Sequence, residues 1–275
     1  MRPDGHGIRT VLVGATGRMG VSILRLLGQF PQFALAGAVA SEHSSALGRD
    51  AGLNAGAPAV GVMIDASLPP LLEGAELVID FSSARIAAGT VAACVAARVP
   101  LLIGTSGLPR ELDAPLAAAA QVIALLVAAN TSLGVTVLLE LVRQAAQVLP
   151  NGYDIEIVEA HHRHKVDAPS GTALALGASA AAGRGVSLED QASFARHGHT
   201  GERPAGQIGF AVLRGGDVVG EHEVRFLGEG ERLLLGHCAT DRAVFARGAL
   251  LAGLWLMGQA PGRYAMRDIL FHKNN

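Results

Sequence analysis

The chain has 275 residues, enough for one or two domains with hydrophobic cores of their own. Half of the residues are hydrophobic, 17% are charged and the formal net charge is -2, which excludes a disordered chain and leaves no electrostatic footprint for nucleic acid or an anionic membrane. Two cysteines, Cys94 and Cys238, are too few for a disulfide framework and read as reduced, buried thiols in a reducing compartment.

In chain order, Ile8 to Val13 predicts a buried strand, Arg18 to Leu27 a helix and Phe33 to Val39 a second strand. Short apolar runs follow at Leu77 to Phe81, Val99 to Ile103 and Val122 to Ala128, with helix-rich stretches at Ala84 to Ala97 and Pro109 to Ala120. Strands alternating with helices predict βαβ units and a parallel sheet, and near-continuous apolar strands fit a sheet covered on both faces. After Asn130 the pattern changes. Ser132 to Leu149 reads as a long helix stopped by Pro150, and Tyr153 to Glu159 alternates as a half-buried strand does. Gln207 to Leu213, Val218 to Phe226 and Arg232 to Ala239 are strand-like runs separated by glycine-rich turns, and Arg242 to Met257 returns to a helical pattern.

The predicted fold is α/β. It has an N-terminal Rossmann-type, doubly wound parallel sheet and an inserted α+β domain with a mostly antiparallel open sheet. Residues 1–131 and 242–275 are expected to form the first domain and residues 132–241 the second. The opening Met1 to Gly7 lacks the charged-then-apolar order of a signal peptide, and no run reaches the roughly 18 apolar residues of a spanning helix. A cytoplasmic protein is expected.

The first chemical signal is Gly14, Gly17 and Gly20, placed where the first strand turns into the first helix. Glycines let the backbone approach a pyrophosphate, and the N–H groups at the helix start face the anion. The spacing is G-x-x-G-x-x-G, with Thr16 in the middle place, and its position after a strand is what gives it weight. The second strand ends in Ala40 and Ser41 rather than the acid that holds an adenosine ribose, with Glu42 just beyond. That weakens repulsion of a 2'-phosphate, for which Arg18, His43 and Arg49 are candidate partners, and predicts that NADPH serves at least as well as NADH. Asp80-Phe-Ser-Ser83 and Gly104-Thr-Ser-Gly107 also follow strands and are expected to line the nicotinamide end.

The sharpest feature is Glu159-Ala-His-His-Arg-His-Lys-Val-Asp-Ala-Pro-Ser-Gly-Thr172. Pro169 biases Ala168 away from helix, so Ser170, Gly171 and Thr172 stand at a helix start, where N–H groups and hydroxyls bind a carboxylate. His161, His162, Arg163, His164 and Lys165 make the approach cationic, and histidine and lysine exchange protons near neutral pH when suitably tuned. A solvated cationic face is the bland alternative. A metal site is not expected, since adjacent strand histidines point to opposite faces and no further ligand cluster completes a set.

Through these motifs the chain resembles the dihydrodipicolinate reductase (4-hydroxy-tetrahydrodipicolinate reductase) family. The resemblance runs through Val-Gly-Ala-Thr-Gly-Arg-Met-Gly at 13–20, the 80–83, 104–107 and 128–134 segments and the 159–173 block. It continues in His199-Thr-Gly-Glu-Arg203 and Gly220-Glu-His-Glu-Val224. It implies reduction of a small dicarboxylate of the diaminopimelate and lysine pathway by NADPH or NADH. Cofactor contacts are then expected from Gly14, Ala15, Thr16, Gly17, Arg18 and Met19, from Gly104, Thr105 and Ser106, and from Ala128, Ala129, Asn130 and Thr131. His161 and Lys165 would be the catalytic proton-transfer pair, His162, Gly171 and Thr172 the substrate ligands, and the inserted domain the builder of a homotetramer. The chain departs from the family pattern at Ala40 and Ser41, where Glu followed by Arg is common, and at Thr131, where an aromatic residue is usual.

Overall fold

The computed structural model describes residues 7–271, so most of the opening segment and the last four residues lie outside it. The chain separates into two compact units, Met1–Ser132 with Ala243–Asn275, and Leu133–Arg242. In order, the elements are β1 (Ile8–Val13), α1 (Arg18–Leu26), β2 (Phe33–Val39), α2 (Ala51–Asn54), β3 (Ile64–Asp65), β4 (Leu77–Asp80), α3 (Ala84–Ala97), β5 (Leu101–Ile103), α4 (Asp113–Ala119) and β6 (Ala124–Val127). The second unit holds α5 (Leu133–Val148), β7 (Asp154–His161), α6 (Gly171–Arg184), α7 (Leu188–Gln191), β8 (Ala192–Ser193), β9 (Ile208–Arg214), β10 (Gly220–Leu227) and β11 (Arg232–Ala239). The chain then returns to the first unit with α8 (Ala243–Leu256), β12 (Gly262–Tyr264) and α9 (Met266–Phe271).

The first unit is a seven-stranded sheet in the order β12-β6-β5-β4-β1-β2-β3, and every pairing in it is parallel. The strand order reverses between β1 and β4, so the loops leaving those strands open a crevice at their carboxyl ends. β4 and β5 are buried at every residue because helices cover both faces. Cys94 lies in this core with Val11, Val78 and Leu101, and burial pushes its thiol up to about 12, with Asp80 adding to the shift. Cys238 departs from expectation. It is exposed, because it points from β11 to the side of the sheet away from the helices.

The second unit carries a mixed five-stranded sheet in the order β11-β10-β7-β9-β8. β10 runs antiparallel to both β11 and β7 over its whole length, while β9 lies parallel to β7 and β8 parallel to β9. β7 alternates strictly. Ile155, Ile157, Glu159 and His161 are buried, and the intervening residues are half-buried. The two isoleucines join Val224, Phe226, Leu138 and Leu176 in a core beneath α5 and α6. On the opposite face, Arg203 bonds Asp154 at 2.6 Å and Glu156 at 3.1 Å, and Arg196 grips Glu156 with two bonds of 2.9 Å. The 199–203 segment is thereby stapled to β7.

β1, β2, α3 and β11 appear with the predicted bounds, and the other longer predicted elements with ends shifted by a residue or two. Pro109 to Ala120 is instead a short 3-10 turn, Arg110–Leu112, followed by α4.

Candidate active site

The glycine loop is built by backbone geometry. Gly14 has φ +83, and a Cβ there would lie 2.6 Å from the carbonyl oxygen of Phe81, so neither conformation nor space admits a side chain. Gly17 caps α1 without a side chain, its N–H bonds back to the Gly14 carbonyl at 3.0 Å, and no acid stands in the first turn of the helix. The helix start therefore presents N–H groups and the positive end of its dipole, with no acid in its own first turn.

A cavity of about 600 Å³ opens over this loop, within the size range of small-molecule sites. Gly14, Thr16 and Gly17 line it together with Ala40, Ser41, Glu42 and His43 from beyond β2. Arg85 also lines it, a residue the sequence did not single out; of the three predicted phosphate partners, His43 is in the lining and Arg18 and Arg49 are not.

Phe81, Ser82 and Ser83 line this same cavity, which corrects the expectation that they sit at the nicotinamide end. β4 is the direct neighbour of β1, so its loop meets the tip of β2 and the glycine turn. Buried Asp80 fixes that loop, accepting from the Ser82 amide at 2.8 Å and the Ser82 hydroxyl at 2.5 Å; burial raises its carboxyl above the ordinary range.

Gly104, Thr105 and Ser106 leave β5, and Ala128, Ala129, Asn130 and Thr131 leave β6, both on the side of β4 away from β1. The buried Thr105 hydroxyl has no hydrogen-bond partner among the described residues, the condition of a group that awaits a ligand. The Thr131 hydroxyl donates to the Phe245 carbonyl at 2.7 Å, so this threonine is tied to α8. The N–H-rich loop, the cavity above it and the unpartnered Thr105 hydroxyl together fit a nicotinamide dinucleotide.

In the second unit, the 159–172 stretch leaves β7, makes a turn and enters α6. Ser170 caps α6, its hydroxyl accepting from the Ala173 amide at 3.1 Å. Glu159, almost wholly buried, ties the strand end to this cap. Its Oε1 accepts from the Ser170 amide at 2.9 Å and from Arg214 at 2.8 Å, and its Oε2 from Arg214 at 2.7 Å. The same Oε2 lies 2.5 Å from Nδ1 of His161. Burial alone would raise the Glu159 carboxyl, but Arg214, His161 and the Ser170 amide together hold it below its ordinary value. For His161, burial lowers the pKa, the Glu159 carboxylate pulls it back up, and Lys165 and Arg214 push it down again.

Lys165 is thus close enough for His161 to feel its charge. Lys165 pairs with Asp167 at 2.9 Å, on an exposed carboxylate. The two ion pairs of this site differ in strength. Removing one partner of a buried pair costs on the order of 3–5 kcal/mol, whereas an exposed pair contributes about 0–1 kcal/mol. The Glu159 and Arg214 pair is therefore fixed, and the Lys165 and Asp167 pair readily exchanges.

His162 lies just past the strand, its carbonyl accepting the Lys165 amide at 3.1 Å and its ring 6.2 Å from that of His164. Gly171 and Thr172 are the first residues of α6, while Arg163 and His164 are exposed. Two further partners come from distant strands. His222 on β10 bonds the Ser170 hydroxyl at 3.0 Å and meets the His161 ring edge-on at 5.0 Å. Arg214 ends β9. His222 belongs to the 220–224 motif but carried no predicted role, and Arg214 had no local signal at all.

Comparison with known proteins covers nearly all of the described chain. Residues 8–131 match the family "Dihydrodipicolinate reductase, N-terminus", and residues 134–270 match "Dihydrodipicolinate reductase, C-terminus". The 4-hydroxy-tetrahydrodipicolinate reductase of Anaeromyxobacter dehalogenans (strain 2CP-1) is 50% identical over 95% of this chain and 97% of its own length. That of Parvibaculum lavamentivorans is 49% identical over 96% and 97%. Among solved structures, a dipicolinate-bound dihydrodipicolinate reductase from Paenisporosarcina sp. TG-14 shares the fold, with a TM-score of 0.77 at 22% identity over 96% of this chain and all of that one. The chain belongs to the dihydrodipicolinate reductase family.

Proposed function

We propose that this chain reduces 4-hydroxy-tetrahydrodipicolinate to tetrahydrodipicolinate with NADPH or NADH, in the diaminopimelate route to lysine. The observation that carries this reading is the linkage of His161 to the capped start of α6 through one buried carboxylate, Glu159, in a chain similar to reductases of that name along its full length. Overall, one hydride and one proton are added to the substrate and its hydroxyl leaves as water. The nicotinamide dinucleotide, when bound, supplies the hydride. Residues 14–19 hold its phosphates, and residues 104–106 and 128–131 hold its nicotinamide riboside. The first unit is the dinucleotide-binding domain, and the second binds substrate and builds the oligomer.

The substrate carries two carboxylates. The N–H groups of Gly171 and Thr172 at the start of α6 receive one of them, with His162 as a further ligand. Lys165 exchanges Asp167 for a substrate group at little cost, as an exposed pair permits. Once the ring has been reduced at one carbon, the resulting enamine takes a proton, which His161 and Lys165 supply. Ala40 and Ser41 place no carboxylate at the tip of β2, and Arg85 and His43 line the same cavity, so a 2'-phosphate is accommodated and NADPH is used at least as well as NADH. The protein is cytoplasmic and assembles as a homotetramer through the face of the second sheet left bare of helices, where Leu213 and Leu234 are exposed. Among the described residues, no helix is long and apolar enough to cross a membrane.

The test is turnover with substrate saturating. His161→Gln and Lys165→Ala each lower kcat by about two orders of magnitude or more while leaving dinucleotide binding intact. Wild-type kcat in both variants would refute the assignment.

A further inference from the structure

His161 is enclosed from several elements, and each contact restricts what its imidazole can do. Glu159 faces Nδ1 from two positions earlier on β7, at 2.5 Å. Arg214, at the register position opposite His161 on β9, reaches across to grip both oxygens of Glu159, at 2.7 and 2.8 Å. The Ser170 amide adds a third donor to that carboxylate at 2.9 Å. His222 stands edge-on to the ring from β10, and Lys165 and Asp167 lie in the turn that follows. Gly220 comes last. A Cβ on it would lie 3.1 Å from Nε2 of His161, so its lack of a side chain keeps that nitrogen approachable.

The chemistry of these partners sets the imidazole's tautomer. A carboxylate bonded to a guanidinium fork and an amide is ionised, and an ionised carboxylate only accepts. The proton between Glu159 and His161 therefore belongs to Nδ1. That leaves Nε2 as the nitrogen that gains and loses a proton, on the side that Gly220 keeps clear.

We infer that Glu159, clamped by Arg214, is a positioning residue for the reduction: it fixes His161 as the Nδ1–H tautomer and aims Nε2 at the proton-transfer site. This rests on the function proposed above. In the step itself, the Nε2–H bond of the imidazolium breaks and a C–H bond forms on the substrate enamine carbon. The imidazole left behind is neutral, with Nδ1–H still on Glu159, and solvent restores the Nε2 proton.

Two measurements test this on the full-length protein. The first needs no variant. In protein labelled with 15N-histidine, the His161 signal, assigned by its loss in His161→Gln, should show a protonated Nδ1 and a bare Nε2 in the neutral form. The Nε2–H tautomer would overturn the inference.

The second is kinetic. Glu159→Gln should lower kcat by roughly 10²- to 10⁴-fold, the upper end being what loss of the orienting carboxylate costs a Ser-His-Asp triad, and should move the high-pH limb of kcat to lower pH, because the carboxylate no longer supports imidazolium. Glu159→Asp, which keeps the charge, should restore part of kcat and return the limb toward its original position. A folded Glu159→Gln protein with the wild-type limb would overturn the inference, since a purely structural role would lower the active fraction without moving the profile. The two readings also fail separately: no substrate-dependent cofactor oxidation by the wild-type protein sinks the proposed function, whereas an inactive His161→Gln beside an unaltered Glu159→Gln sinks only the positioning role.

Discussion

Two acids flank His161 in sequence and do opposite things. Glu159 is buried on the inward face of β7 and its carboxylate is gripped by Arg214 and the Ser170 amide, whereas Asp167 is exposed, pairs its carboxylate with Lys165 and takes an Arg214 bond on its backbone carbonyl. Burial decides the difference. A carboxylate in the core is tolerated only when fully paired, so Glu159 is a fixture, while Asp167 is a partner that Lys165 can leave. The same logic separates proton transfer from substrate binding. Thr172 stands at the start of α6, where a substrate carboxylate is proposed to bind, so Thr172→Val should mainly raise KM for the substrate and leave kcat within a few-fold. Steady-state kinetics check this, and a kcat loss matching that of His161→Gln would place Thr172 in the chemistry instead.

Among the elements, the turn from β1 into α1 and the sheet around β7 carry the two halves of the site. Gly14→Ala puts a Cβ into the Phe81 carbonyl at 2.6 Å and forces a left-handed residue, while a Cβ at Gly17 would come no nearer than 3.3 Å to a neighbour, the Gly14 carbonyl. Gly14→Ala should therefore weaken dinucleotide binding far more than Gly17→Ala, measured by titration of the cofactor. An equal effect would show that steric room at Gly14 is not what the loop needs.

His222 makes the second sheet pH-sensitive. Burial first, and the charge of His161 second, push its pKa down to about 4. The folded state then binds fewer protons than the unfolded chain between about pH 6.5 and 4. Stability should be full above that window and fall on acidification through it, by on the order of 3 kcal/mol. Denaturant unfolding at pH 7 and pH 5 reads the effect. His222→Gln should flatten it, and an unchanged slope in that variant would assign the acid sensitivity elsewhere.

At this scale it is also plain what a sequence can reveal. β1, β2, α3 and β11 were readable to the residue because apolar runs and turn residues mark both ends. β3, β8 and β12, of two or three residues, and α2 and α7, of four, are too short to repeat their period and left no pattern. The 159–172 site was legible because its parts are contiguous. Glu159 even announces itself as an acid on the apolar side of an alternating strand. Arg214 does not, because it lies 55 residues from Glu159 and meets it only through the parallel pairing of β7 and β9.

For the whole molecule, the first unit holds the glycine loop with the cavity above it, and the second holds His161 and Lys165 beside the capped start of α6. Neither unit alone contains both halves of the chemistry, and the family match spans both. The central claim is reduction of one specific dicarboxylate, and the most direct measurement is a coupled assay. The labile substrate is generated in place by its synthase, and loss of dinucleotide absorbance is followed with NADPH and NADH in parallel. Oxidation should stop when the synthase is omitted, and NADPH should be used at least as well as NADH. No substrate-dependent oxidation with either cofactor would contradict it.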